Sequence, residues 1–179
     1  MKRIILPLFL LLFLVLEGIF PELVPRKLNG SEIYIIPYFV MSFLILMAIF
    51  YDYDQTYQSI YYAIVFGFLT DLLYTDLIGV YMFTYGAVAY FVHKFKRVLH
   101  ANFFVTFILT LFGVSLSDTL IYMMYAVIQI TSMAPVEYGM TRLLPTVLAN
   151  MITMAVLYPL FYRRMWKWSE ELMSHRKTV

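Results

Sequence analysis

The stretch GFLTDLLYTDLIGVYMFTYGAVAYF, residues 67–91, is apolar enough to lie in lipid, yet it holds Asp71 in its interior, with Asp76 and Gly79 close behind. Apolar character continues almost unbroken from Ser59 to Val92. That is too long for one crossing of a hydrocarbon layer spanned by ~20 helical residues, and it suits two crossings joined at Thr75-Asp76. Asp76 and Gly79 punctuate the turn.

The rest of the chain belongs to the same setting. Hydrophobic residues make up 63% and charged residues 13% of it, with a mean hydropathy of +0.79, against roughly 45–50% apolar and 25% charged in a soluble domain. The chain reads as an all-α integral membrane protein. Outward from the opening stretch, apolar runs predict six transmembrane helices over about 4–21, 33–51, 59–75, 78–93, 102–131 and 139–162, with residues 163–179 as an amphipathic tail. The first run reads as an uncleaved span, because Glu22, Pro25 and Arg26 follow it rather than a small-residue cleavage pattern. Charge placement sets the orientation. With both termini cytoplasmic, Lys2, Arg3, Lys94, Lys96, Arg97, Arg163, Arg164, Lys167, Arg176 and Lys177 fall inside, whereas Arg26, Lys27 and Arg142 fall outside. Splitting the fifth run at Asp118 would put the basic C-terminus on the wrong side, so that run is expected to be one helix. Trp166 and Trp168 then sit at an interfacial aromatic belt, and Phe161, Met165, Trp168 and Leu172 form an apolar face suited to the inner membrane surface.

The absence of cysteine excludes disulfides, thiol catalysis and thiolate metal sites. The histidines His93, His100 and His175 read as cytoplasmic loop or tail residues, away from the carboxylates in the spans. Zinc-protease, P-loop and nucleophile-elbow motifs do not occur. No enzyme activity and no cofactor are expected. The basic loop from His93 to His100 is too short for nucleic-acid recognition and reads as a topogenic signal or a contact with anionic lipid. The 16 Tyr and 16 Phe read as packing and interface anchors.

Polar residues inside the spans carry the information, since an ionised group at the bilayer centre costs at least ~2.5–3.5 kcal/mol. Gly67, Thr70, Asp71 and Tyr74 share one face of the third helix. Ser115, Asp118 and Tyr122 lie together on the fifth beside Gly113, Thr146, Asn150 and Thr153 on the sixth, and Glu17 near the outer end of the first. Counting from Ser59, Asp71 lies ~18 Å along its helix, towards the outer leaflet. Two readings stand. These groups are either hydrogen-bonding glue between helices, satisfied by Tyr, Ser and Thr hydroxyls, or a partner-binding or transport site.

The run G-F-L-T-D-L-L followed by a turn and Gly79 resembles the G-x-x-x-D-L-L…G signature of the bacterial rod-shape-determining MreD family. Gly67, Asp71, Leu72, Leu73 and Gly79 carry the likeness, and the overall layout extends it over nearly the whole chain. Where the family usually has a small or Gly-Pro link, this chain has Tyr74 to Ile78. The resemblance implies a non-enzymatic scaffold or adaptor of the bacterial cell-elongation (rod) complex in the cytoplasmic (inner) membrane, multi-pass. It would bind the bitopic protein MreC and link the actin-like MreB to peptidoglycan synthesis, with a RodA-type glycosyltransferase and its transpeptidase as further partners. It also implies a fold similar to the substrate-binding subunits of energy-coupling-factor vitamin transporters. The rival reading is a vitamin-type binder using Asp71, Asp118 and Asn150 around an outward-facing cavity, and a flippase-like carrier ranks behind both. On the first reading the third-to-fourth hairpin forms part of the partner interface, with Gly67 allowing close approach and Asp71 fixing the turn.

Overall fold

A computed structural model describes residues 2–23, 27–28, 31–53, 56–99 and 101–177. The side chains of Lys2, Arg3, Arg26, Lys27, His100, Leu172, His175, Arg176 and Lys177 lie outside what is described. Among the described residues the regular secondary structure is helical apart from one two-residue antiparallel ribbon, β1 (Lys27–Leu28) with β2 (Ser31–Glu32). In order the helices are α1 (Lys2–Leu23), α2 (Phe39–Leu46, continued by a π-helical turn Met47–Tyr51), α3 (Gln58–Tyr74), α4 (Val80–Lys96), α5 (Phe103–Val127), α6 (Pro135–Tyr138, continued by a π-helical turn Gly139–Leu143) and α7 (Leu144–Lys177). By length and composition, the segments Ile4–Glu22, Phe103–Val127 and Pro135–Glu171 can each cross a bilayer.

The hub is α2. Every side chain from Val40 to Tyr51 is buried, as expected of a helix that is hydrophobic all round and has no polar stripe to turn to solvent. The helices α1, α3, α4, α5 and α7 all pack against it. Phe9, Phe13, Phe43 and Phe161 interlock between α1, α2 and α7 with centroids 5.0–6.1 Å apart. The outer helices are amphipathic in the sense a bilayer requires: α7 buries Asn150, Met154, Leu157, Phe161 and Met165 and exposes Leu144, Leu148, Ile152, Val156 and Leu160. Such apolar exteriors suit lipid, and the protein is a membrane protein.

Two segments differ from the expected spans. The run from residue 33 is helical only from Phe39; residues 33–38 form no regular secondary structure. Pro37 accounts for this, because the residue before a proline is pushed out of the α region and proline cannot donate to a helix ladder. Non-helical backbone in an apolar interior survives only where protein groups satisfy it, and α7 supplies them. Thr146 Oγ1 accepts from Ile36 N at 3.1 Å, Asn150 Oδ1 accepts from Tyr38 N at 2.8 Å and Asn150 Nδ2 donates to Ile36 O at 2.9 Å. At the other end α7 runs unbroken past residue 162 to Lys177. Its face of Phe161, Met165 and Ser169 is buried against the protein, with Ser169 Oγ donating to Tyr51 O at 2.8 Å. The first part of the tail therefore packs on the end of α2, where an apolar face for the membrane surface was expected.

Candidate functional site: the carboxylate-held helix ends

Asp71, in the last turn of α3, is fully buried. Its Oδ2 accepts hydrogen bonds from Gly79 N at 2.8 Å and Met82 N at 3.0 Å, and Oδ1 accepts from Tyr81 N at 2.8 Å. Those N–H groups belong to the start of α4, where a helix leaves its first donors without intrahelical partners and carries the positive end of its dipole. An N-cap ordinarily comes from the residue just before the helix. That place is taken by Gly79, which has φ +109°, a backbone state that favours glycine. The cap is instead delivered across the hairpin by Asp71. Gly67 lets the hairpin close: a Cβ there would stand 2.6 Å from Tyr81 O and 2.8 Å from Met82 Cα. Its close approach is thus to α4 of the same chain. Thr70 is buried and its Oγ1 donates to Phe66 O at 2.9 Å. Leu72 and Leu73, by contrast, are 57% and 59% exposed, and Ile78 is 67% exposed at the hairpin tip beside exposed Asp76.

Asp118 on α5 is also fully buried. Its Oδ1 accepts from Tyr38 OH at 2.9 Å and from Arg142 Nε and Nη2 at 3.1 and 3.0 Å, while Oδ2 accepts from Tyr138 OH at 2.8 Å. Arg142, counted in the sequence only as a charge on the outer side, is this carboxylate's counter-ion. It is presented by the π-helical turn Gly139–Leu143, and Tyr138 is held by stacking on Tyr122 at 3.9 Å. Asn150 spends its amide on Tyr38, Ile36 and Thr146 backbone groups. Glu17 follows the Asp71 pattern: from α1 its Oε2 accepts from Val40 N at 3.2 Å at the start of α2, and its Oε1 accepts from Tyr85 OH at 3.0 Å.

A further carboxylate, Asp52, works at the opposite end of the bundle. It accepts from Ser59 N at 3.0 Å and from Ser59 Oγ at the start of α3, while its backbone carbonyl accepts from Lys96 Nζ. His93, expected in a loop apart from the buried carboxylates, is instead a buried residue in the last turn of α4, with Nδ1 3.8 Å from Asp52 Oδ2. The helix continues to Lys96, so the basic segment is largely helical. Burial pushes the Asp52 carboxyl up to about 6, with the Ser59 hydrogen bonds and the Lys96 charge pulling the other way. The structure therefore brings each singled-out carboxylate to a helix end or an arginine. It leaves Asp71 apart from the Asp118–Asn150 group, with Asp71 bonded to α4 and Asn150 to the chain leading into α2. Among the described residues no three His, Asp or Glu groups converge as a metal site.

The arrangement defines a helical membrane protein whose ionisable groups hold its own helix ends and leave an apolar exterior. The chain matches the family described as rod shape-determining protein MreD over residues 2–167. It is 32% identical over 157 residues to the rod shape-determining protein MreD of Bacillus subtilis (strain 168), covering 88% of this chain and 90% of that protein. No solved structure matches. The chain belongs to the MreD family and has its role in rod shape determination.

Proposed function

We propose that this chain is a multi-pass adaptor of the cell-elongation machinery in the bacterial inner membrane, crossing six times with both ends cytoplasmic. Most of the described residues lie in helices, and partners are gripped within the bilayer or at its edges. An MreC-type single-span protein docks on the α3–α4 hairpin, and the same chain links an MreB-type filament and, more loosely, a RodA-type glycosyltransferase with its transpeptidase. The observation that carries this reading is the division of labour in the hairpin. Asp71 and Gly67 are consumed inside it and make it one stiff unit, while Leu72, Leu73 and Ile78 project from it unburied.

The family-wide resemblance to energy-coupling-factor substrate subunits belongs to the same proposal at the level of fold. A vitamin-binding role is less well supported. It needs Asp71, Asp118 and Asn150 free to face a ligand, and all three are engaged by the chain itself. Cavities of about 320 Å³ between α4 and α5 and about 460 Å³ around Tyr57 and Tyr61 are lined by none of them.

The test is co-purification of the bitopic partner from membranes. Because Gly67 packs against its own hairpin, the informative change is Leu72→Ala with Leu73→Ala. These truncations should weaken partner recovery ~10-fold, about 1.4 kcal/mol of interface energy, at unchanged accumulation. Unchanged recovery would remove the hairpin from the interface.

A further inference from the structure

The side-chain hydroxyls of Ser42 on α2 and Ser117 on α5 are completely buried and have no hydrogen-bond partner among the described residues. Both sit in the seam between the two helices, and two contacts bracket them. On one side, Tyr38 OH bonds Asp118 Oδ1 at 2.9 Å. On the other, a Cβ on Gly113 would meet Ile45 Cδ1 at 2.8 Å. The helices run antiparallel, so Ser42 and Ser117 each lie one helical turn from the Ile45–Gly113 contact, towards the Asp118–Arg142 group, which Ser117 directly precedes in the chain.

A buried hydroxyl without a partner costs about 1–3 kcal/mol. Two at the same level of one seam point to a shared occupant. We propose that Ser42 and Ser117 hold one ordered water between α2 and α5, an inward extension of the Asp118 cluster. The chemistry favours a neutral occupant. A serine hydroxyl both donates and accepts, matching a water that does the same. A cation would need acceptors only, together with a carboxylate to balance it. The neighbouring Asp118 already has its charge matched by Arg142 and both oxygens occupied by donors. The consequence is a hydrated point in the seam between α2 and α5.

Radiolytic hydroxyl-radical footprinting of the intact protein in nanodiscs tests this, because radicals born from a bound water modify buried side chains beside it. Ile45, 1% exposed, should be modified while equally buried Leu44 is not. The signal at Ile45 should fall to the Leu44 level in Ser42→Ala/Ser117→Ala. No excess labelling of Ile45 in the unsubstituted protein, or labelling that persists in the double variant, overturns the proposal. Labelling or melting that changes when sodium is replaced by choline also overturns it, in favour of a cation. If the double variant does not fold, a density map of the unsubstituted protein at water-resolving detail decides. A peak within hydrogen-bond reach of both Oγ atoms upholds the site. Hydroxyls turned to their own helix carbonyls with no peak between them refute it.

Discussion

Replacing Asp71 by alanine removes the acceptor for Gly79, Tyr81 and Met82 N–H in a single step. Hydrogen bonds to a charged group are worth about 1.5–3 kcal/mol each, and a buried donor left unpaired costs about 1–3 kcal/mol. These three donors are only part-buried and water can reach them, so the loss should lie near the low end of the unpaired-donor cost, about 1 kcal/mol each or about 3 kcal/mol in all. For a chain of this size 1 kcal/mol corresponds to roughly 2–4 °C, giving a melting temperature lower by about 6–12 °C in detergent. Asp71→Asn is the sharper probe. One amide oxygen can still serve two of the N–H groups, but the amide nitrogen faces the third, donor against donor. About 1–2 kcal/mol should be lost, and amide exchange should accelerate at the start of α4 rather than throughout. Asp76→Ala, at the exposed tip, should lie within about 0.5 kcal/mol of the unsubstituted protein. If Asp71→Ala melts no lower than Asp76→Ala, the carboxylate is not what holds the hairpin.

Gly67→Ala drives a methyl against Tyr81 O and should cost about 1–3 kcal/mol by overpacking, read as a lowered melting temperature. Arg142→Ala strands a buried carboxylate and should cost about 3–5 kcal/mol, whereas Arg142→Met combined with Asp118→Leu, Tyr38→Phe and Tyr138→Phe, which removes the whole polar group, should recover most of that loss in the same assay. The Asp52 carboxyl, raised to about 6 by burial, binds its proton more tightly in the folded than in the unfolded chain. Stability should therefore be greatest at pH values near or below the ordinary aspartate value of ~4 and fall as pH rises to about 6, by up to about 3 kcal/mol. Asp52→Asn should flatten that part of the pH–melting curve, with His93, Ser59 and Lys96 still in place around it.

What could be read from the chain alone was whatever leaves a local mark. Asp71 stood out because a carboxylate in an apolar run demands a partner, and Gly67 because four residues place it on the same face. The partners themselves were less legible. The pairing of Arg142 was hidden, because nothing in its neighbours announces the π-helical turn that carries it to Asp118, 24 residues away in the chain. Glu17 capping Val40 and Asn150 satisfying the non-helical segment after residue 32 are likewise long-range, and spacing records only near neighbours. Pro37 was a visible signal for the late start of α2, outweighed by the apolar run around it. His93 was misplaced because its basic neighbours resembled a loop, although they form the last turn of α4 where positive charge suits the helix dipole. The buried face of Phe161 and Met165 had the periodicity of an amphipathic helix, and periodicity does not say whether lipid or protein covers it.

Photocrosslinking in living rod-shaped cells tests the adaptor most directly, with a photoreactive residue placed at Leu72 in one strain and at Ile152 of α7, 69% exposed, in another. A covalent product with the single-span elongation protein from Leu72 and not from Ile152 is the predicted result. Its absence at Leu72, or equal yields from both positions, would contradict the proposed docking of that partner on the α3–α4 hairpin.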